Sequence, residues 1–168
     1  MPIENKNATK PDLIAILEGL IKAKIKFILV GGLAAVVQGA PITTIDVDIV
    51  HEQSFENITK LLNFLKSINT FYRRPDDKLI QPTYNDLSAK GHSLFTTNLG
   101  PLDVLSIIEQ GKSYNDLIKD TVEIKFRGKI IKVLSLKTLI ELKKESNYLK
   151  DKQRILILEE TLQQQEYF

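Results

Sequence analysis

Cysteine and tryptophan are both absent from this 168-residue chain. Without a thiol there is no disulfide, no thiolate metal centre and no cysteine nucleophile. Histidine occurs only twice, at His51 and His92, too far apart for a clustered histidine metal motif. Long apolar runs are lacking too. The most apolar stretch, Phe27 to Val37, falls well short of the roughly 18 residues that a membrane helix needs. The first ten residues are polar, unlike a secretory leader. The net charge of +2 is too even to mark a nucleic-acid or membrane binder. These absences predict a cytoplasmic chain with no membrane partner. They leave carboxylates as the groups to carry any catalysis.

What is present has the proportions of a globular protein. Apolar residues make up 43% and charged residues 26%, enough to build a core and against disorder. The length fits a single domain over 1–168. Pro11 is placed to open a helix at its first position. Residues 26–30 read as a buried strand, and 33–38 as a short helix ended by Gly39-Ala-Pro41. The next strand is expected over 45–50, and Ser54 as the N-cap of an amphipathic helix. The polar segment 73–90 reads as a long excursion. Two alternating runs flanking Arg127-Gly128 read as a hairpin. Ser135 caps a helix through Lys144, and a last helix runs from about 150 to 164. The predicted architecture is therefore α/β or α+β, with a core over about 26–134 and C-terminal helices over about 135–164.

The strongest chemical feature is Thr43-Thr-Ile-Asp46-Val-Asp48-Ile49. Side chains alternate along a strand, so Asp46 and Asp48 share a face with Cα atoms about 6–7 Å apart. Ile45, Val47 and Ile49 then face the core. Paired carboxylates repel unless a cation lies between them, and Mg²⁺ favours one or two carboxylates with phosphate oxygens. The bland alternative is an edge strand with two solvated aspartates. Gly31-Gly32 directly follows a strand and opens a helix, where backbone N–H groups can approach phosphate. It is neither a P-loop nor a dinucleotide fingerprint, and a tight turn alone would also demand glycine. A gap of 14 residues from Gly32 to Asp46 fits a helix and its return. Asp103 is the best third carboxylate, set among apolar residues where an unpaired acid is costly. Between Lys137 and Arg154 six cations stand against three acids. His51 is expected to cap its strand at the surface, and Arg73 and Arg74 to lie on an exposed loop edge. Tyr72, Tyr84 and Tyr114 form no stacking pattern.

Val30-Gly-Gly-Leu-Ala-Ala, Gly39, Pro41, Thr44 and Asp46-x-Asp48 together resemble the opening motif of the nucleotidyltransferase superfamily, the polymerase-beta-like fold. Thr97-Asn-Leu-Gly100-Pro-Leu-Asp103 resembles the segment bearing its third carboxylate. Residues 133–143 and Lys150-Asp151 resemble the late helical motif of a small prokaryotic branch, the abortive-infection AbiE-type toxins. The resemblance spans about 27–162. It implies a mixed sheet flanked by helices, with Mg²⁺ or Mn²⁺ held by Asp46, Asp48 and Asp103. It implies transfer of a nucleoside monophosphate from an NTP to an RNA, protein or small-molecule acceptor, with Asp103 helping to deprotonate the acceptor hydroxyl. Gly31, Gly32, Thr44, Lys143 and Lys150 would hold the nucleotide, and Asp151 would orient Lys150 or the nucleotide. A toxin role with an antitoxin partner follows from the branch. Ile42 and Asn147-Tyr148 depart from the pattern, where many relatives carry basic residues. A non-catalytic nucleotide-binding or interaction module of the same fold, and a D-x-D glycosyltransferase, are the alternatives.

Overall fold

The computed structural model describes residues 10–146 and 148–167. Asn147 and the polar first nine residues, on which two of the expectations fall, lie outside these. Helix α1 (Leu13–Lys22) starts at Asp12, whose carboxylate accepts from Ala15 N–H at 3.0 Å. Pro11 thus precedes the cap and is not the first helical residue. A short side chain with a carboxylate does that job better, because it satisfies an orphan N–H.

Strand β1 (Phe27–Val30) is buried along its whole length. Helix α2 (Gly31–Val37) leaves it at once, two residues earlier than expected. Strand β2 (Val47–His51) returns antiparallel to β1, pairing Val30 with Asp48. Helix α3 (Phe55–Ser67) is capped by Ser54, which accepts from Asn57 N–H at 3.2 Å. Strand β3 (Phe71–Tyr72) is short, and α4 (Tyr84–Ser88) sits inside the polar excursion behind a Thr83–Asp86 capping box. Strands β4 (His92–Thr97) and β5 (Gly100–Leu105) form a hairpin. Two short 3₁₀ turns flank α5 (Tyr114–Leu117). Strands β6 (Thr121–Phe126) and β7 (Lys129–Leu134) form the expected second hairpin. Its turn residues Arg127 and Gly128 have φ of 48° and 80°, which matches the right-handed twist of the strands.

The described strands form one mixed sheet in the order β3-β4-β5-β2-β1-β7-β6. β1 runs parallel to β7, and β2 runs parallel to β5. Helix α6 (Leu136–Lys144), capped by Ser135, leaves the end of β7 as α2 leaves the end of β1. Both helices therefore depart from one edge of the sheet. Helix α7 (Leu149–Tyr167) packs on α6, and its Leu158 and Thr161 are buried. Gln38 ties this edge together. Its amide donates to the carbonyls of Ala34 and Leu134, and its own carbonyl accepts from Gln165. No described helix is long and apolar enough to cross a membrane.

Candidate active site

The site lies where β1 ends and β2 begins. Asp48 on β2 is register partner to Asp103 on the parallel strand β5. Asp46 stands in the bend one residue before β2. Carboxylate oxygens of Asp46, Asp48 and Asp103 lie within 4.8 Å of one another. Ile45, expected in the core, is instead 66% exposed, because the strand has not yet begun at that residue. The two aspartates share a face all the same, since the bend keeps Asp46 on the side of Asp48.

Asp48 is the strained member of the cluster. Burial, then its hydrogen bond to Asp103, then the charges of Asp46 and Asp103 push its carboxyl from 3.8 up to about 8. The Arg73 guanidinium works in the opposite direction. Arg73 Nη2 donates to Asp103 Oδ1 at 3.0 Å and to the Phe95 carbonyl at 2.9 Å. Sequence placed Arg73 on a loop edge. Arg73 does lie exposed just past β3, and its backbone N–H extends the β3 pairing onto the Leu94 carbonyl. Leu94 pairs with Asp103 across β4 and β5. Asp48, Asp103, Leu94 and Arg73 thus form a transverse row over β2, β5, β4 and the residue that follows β3. No local pattern in the sequence announces such a row.

The glycines make room for this cluster. Gly31 has φ +70°, and a Cβ there would stand 2.1 Å from Asp48 Oδ2. A Cβ on Gly32 would press Thr44 Oγ1 at 3.1 Å and approach Arg154 at 3.4 Å. Thr44 Oγ1 in turn lies 3.3 Å from both the carbonyl and the carboxylate of Asp46. Glycine is required here by the carboxylates themselves as well as by the turn.

A cavity of about 500 Å³ opens over the aspartates. Lys143, Lys150 and Arg154 line it on the side of α6 and α7. Lys143 Nζ pairs with Asp151 Oδ1 at 3.3 Å, and Ser146 Oγ donates to Asp151 Oδ2 at 2.5 Å. Asp151 therefore orients Lys143 rather than Lys150. The Ser146 hydroxyl and the Lys143 charge hold its carboxyl below the ordinary carboxylate range. Arg154 was not singled out from the sequence. It lies one helical turn beyond Lys150 and donates to the Thr43 carbonyl at 3.4 Å. That i,i+4 spacing was the available signal. Ile42 packs against the core, and Arg154 of α7 reaches the carbonyl of the neighbouring Thr43.

His51 does not cap its strand at the surface as the sequence suggests. It is buried, with Nδ1 3.0 Å from the Leu105 carbonyl and Nε2 2.9 Å from the Leu87 carbonyl. Burial depresses its basicity below the usual 6.5. It fastens β2 to β5 and to α4 and does not enter the cavity.

The donor set at the aspartates consists of hard carboxylate oxygens. It fits Mg²⁺ or Mn²⁺ and does not fit a soft ion. Among the described residues, Arg73 is the one cation bonded to the cluster, and it touches only Asp103. Negative charge in excess of the available side-chain cations is what a divalent site requires.

No family model matches the chain, and no curated protein matches its sequence. Its backbone does match solved structures. LnuA, a lincosamide antibiotic adenylyltransferase solved with lincomycin bound, superposes with a TM-score of 0.60 at 16% identity. The match covers 92% of this chain and 98% of that one. The fold is nucleotidyltransferase-like. A Thermotoga maritima protein provisionally assigned as a nucleotidyltransferase superposes with a TM-score of 0.55 at 15% identity. That match covers 96% of this chain and 99% of the other. In this nucleotidyltransferase-like frame the mixed sheet and its flanking helices agree with the architecture expected from the sequence.

Proposed function

We propose that the protein is a metal-dependent nucleotidyltransferase. The observation that carries this reading is the convergence of three carboxylates within 4.8 Å beside a lysine- and arginine-lined cavity, on this fold. Asp46, Asp48 and Asp103 would hold Mg²⁺ or Mn²⁺, which when bound supplies charge neutralisation for the triphosphate and the leaving group. Lys143, Lys150 and Arg154 pull the triphosphate toward α6 and α7, and Asp151 fixes the direction of Lys143. Gly31, Gly32 and Thr44 keep the floor of the cavity open beside the α-phosphate.

The acceptor hydroxyl oxygen bonds to the α-phosphorus. The bond from that phosphorus to the β-phosphate oxygen breaks, and pyrophosphate leaves. Asp103 takes the hydroxyl proton and passes it to water. Arg73 holds one oxygen of Asp103 in place for that task. RNA, a protein hydroxyl and a small molecule are the acceptor classes. A toxin role with an antitoxin partner has the AbiE-type resemblance as its support.

The test is thermal unfolding with Mg²⁺ or Mn²⁺ and each of the four NTPs, wild type beside an Asp46→Ala, Asp48→Ala double variant. A nucleotide at 100 times its dissociation constant stabilises the native state by about 2.7 kcal/mol. Metal-dependent stabilisation of the wild type alone is expected. Equal stabilisation of both proteins would place the nucleotide elsewhere. A larger response to a nucleotide sugar than to any NTP would favour the D-x-D glycosyltransferase.

A further inference from the structure

The cavity over the aspartates is chemically lopsided. Sheet order puts β2 and β5, with their carboxylates, in the middle. On the β1–β7 side stand Lys143, Lys150 and Arg154. On the β4–β5 side the lining is His92, Leu94, Leu105, Ile108 and Glu109, with no lysine or arginine. Arg73, the nearest guanidinium, is committed to Asp103 and to the Phe95 carbonyl.

Leu94 is the direct cross-strand neighbour of Asp103 on the same face of the sheet, and it is 43% exposed. His92 and Leu105 form the next pair on the same face of that ladder. Ile108 and Glu109 close this side from the loop after β5. A hydroxyl group delivered to Asp103 must therefore arrive along a leucine and isoleucine wall with a carboxylate at its rim.

We infer that the acceptor is a small hydroxyl-bearing molecule, uncharged or cationic, with an apolar face, and not a nucleic acid. The inference rests on the nucleotidyl-transfer reading and specifies its second substrate. Polynucleotide binding draws most of its affinity from lysine and arginine on phosphates. Here a phosphate beside the attacking hydroxyl would meet Glu109 and three aspartates, and among the described residues no lysine or arginine lines this side of the cavity. Apolar surface on the acceptor gains by covering Leu94. A positive charge on the acceptor gains from Glu109. The product is a phosphodiester linking the acceptor oxygen to the nucleoside, with pyrophosphate released.

The experiment supplies the protein, Mg²⁺ and NTPs labelled at the α-phosphorus. Separate reactions receive the small-molecule, RNA and protein fractions of a cell extract. Label is expected in the small-molecule fraction, in a product resistant to phosphatase. Label in RNA or protein instead, or none in the small-molecule fraction, overturns the inference. NTP stabilisation of the same preparation separates the two failures. Without it the transferase reading falls. With it, only the acceptor class falls. Leu94→Lys adds a test of opposite sign. It should cut small-molecule labelling at least about tenfold, the scale on which one apolar pocket contact discriminates. Undiminished small-molecule labelling by this variant, shown to be folded by its NTP response, would overturn the inference as well.

Discussion

Replacing Asp48 by asparagine should stabilise the metal-free protein while abolishing its response to metal. The side chain is wedged between Gly31 and Asp103, and Asn has the same shape without the charge. Burial first, then the Asp103 hydrogen bond and the neighbouring charges, raises the Asp48 carboxyl from 3.8 to about 8. The folded chain therefore keeps a proton that the unfolded chain gives up. Stability of the metal-free wild type must then fall as pH rises from about 4, and level off above about 8. Each pH unit in that window is worth about 1.4 kcal/mol, so the deficit at pH 7 has a ceiling of about 4 kcal/mol. A quarter of that ceiling already moves the melting temperature by roughly 2–4 °C in a domain of this size. The assay is thermal unfolding in a chelator from about pH 5 to about pH 8. Asp48→Asn should melt above wild type by a margin that widens with pH. Adding Mg²⁺ should close or reverse the gap, because only the wild type binds it well. A margin that stays constant with pH, or a variant less stable than wild type at pH 8 in chelator, refutes the argument.

Three further outcomes follow from single contacts. Gly31→Ala meets Asp48 Oδ2 at 2.1 Å at a φ of +70°, so it should lower stability by at least about 1–3 kcal/mol; chemical denaturation measures it. Arg154→Ala should weaken NTP binding about tenfold, the loss of roughly 1.4 kcal/mol of charge-assisted hydrogen bonding; titration calorimetry against Lys152→Ala, an exposed neighbour, isolates the effect from general helix charge. Since burial holds His51 below its usual 6.5, the unfolded chain takes up a proton there before the native chain does. Stability that is present above about pH 6.5 is then lost as pH falls, and His51→Gln should flatten that acid limb in a melting-temperature profile.

The sequence made local features legible and left lateral ones hidden. The glycine turn, the Ser54 and Ser135 caps and the Arg127-Gly128 hairpin are set by short-range backbone chemistry, and each is where its spacing puts it. The misplacements share a different cause. His51 looks like a polar strand end, and only the packing of Leu87 and Leu105 carbonyls around it makes it a buried tie. Arg73 is the exposed loop-edge residue it looks like, and only the pairing of β3 with β4 reveals Asp103 as its partner. Arg154 looks like one cation among six, and only the packing of α7 on α6 sets it beside Gly32. In each case the side chain finds its partner across strands or helices far apart in sequence, which no periodicity encodes.

That division also explains how a site can depart from its expected pattern and stay coherent. Ile42 stands where the nucleotidyltransferase resemblance implies a cation, and its side chain packs on the core. The positive charge that the cavity needs near Thr43 comes from Arg154, more than a hundred residues later. A chain can move a charge from one element to another without moving the charge in space, provided the two elements pack together. The aspartates have no such freedom. Asp48 and Asp103 are fixed by strand register, and Asp46 by the bend that Thr44 secures. Substitutions on the cationic side of this cavity should therefore be rescued by a lysine or arginine on a neighbouring helix, whereas moving any of the three aspartates by one residue should abolish metal-dependent stabilisation outright.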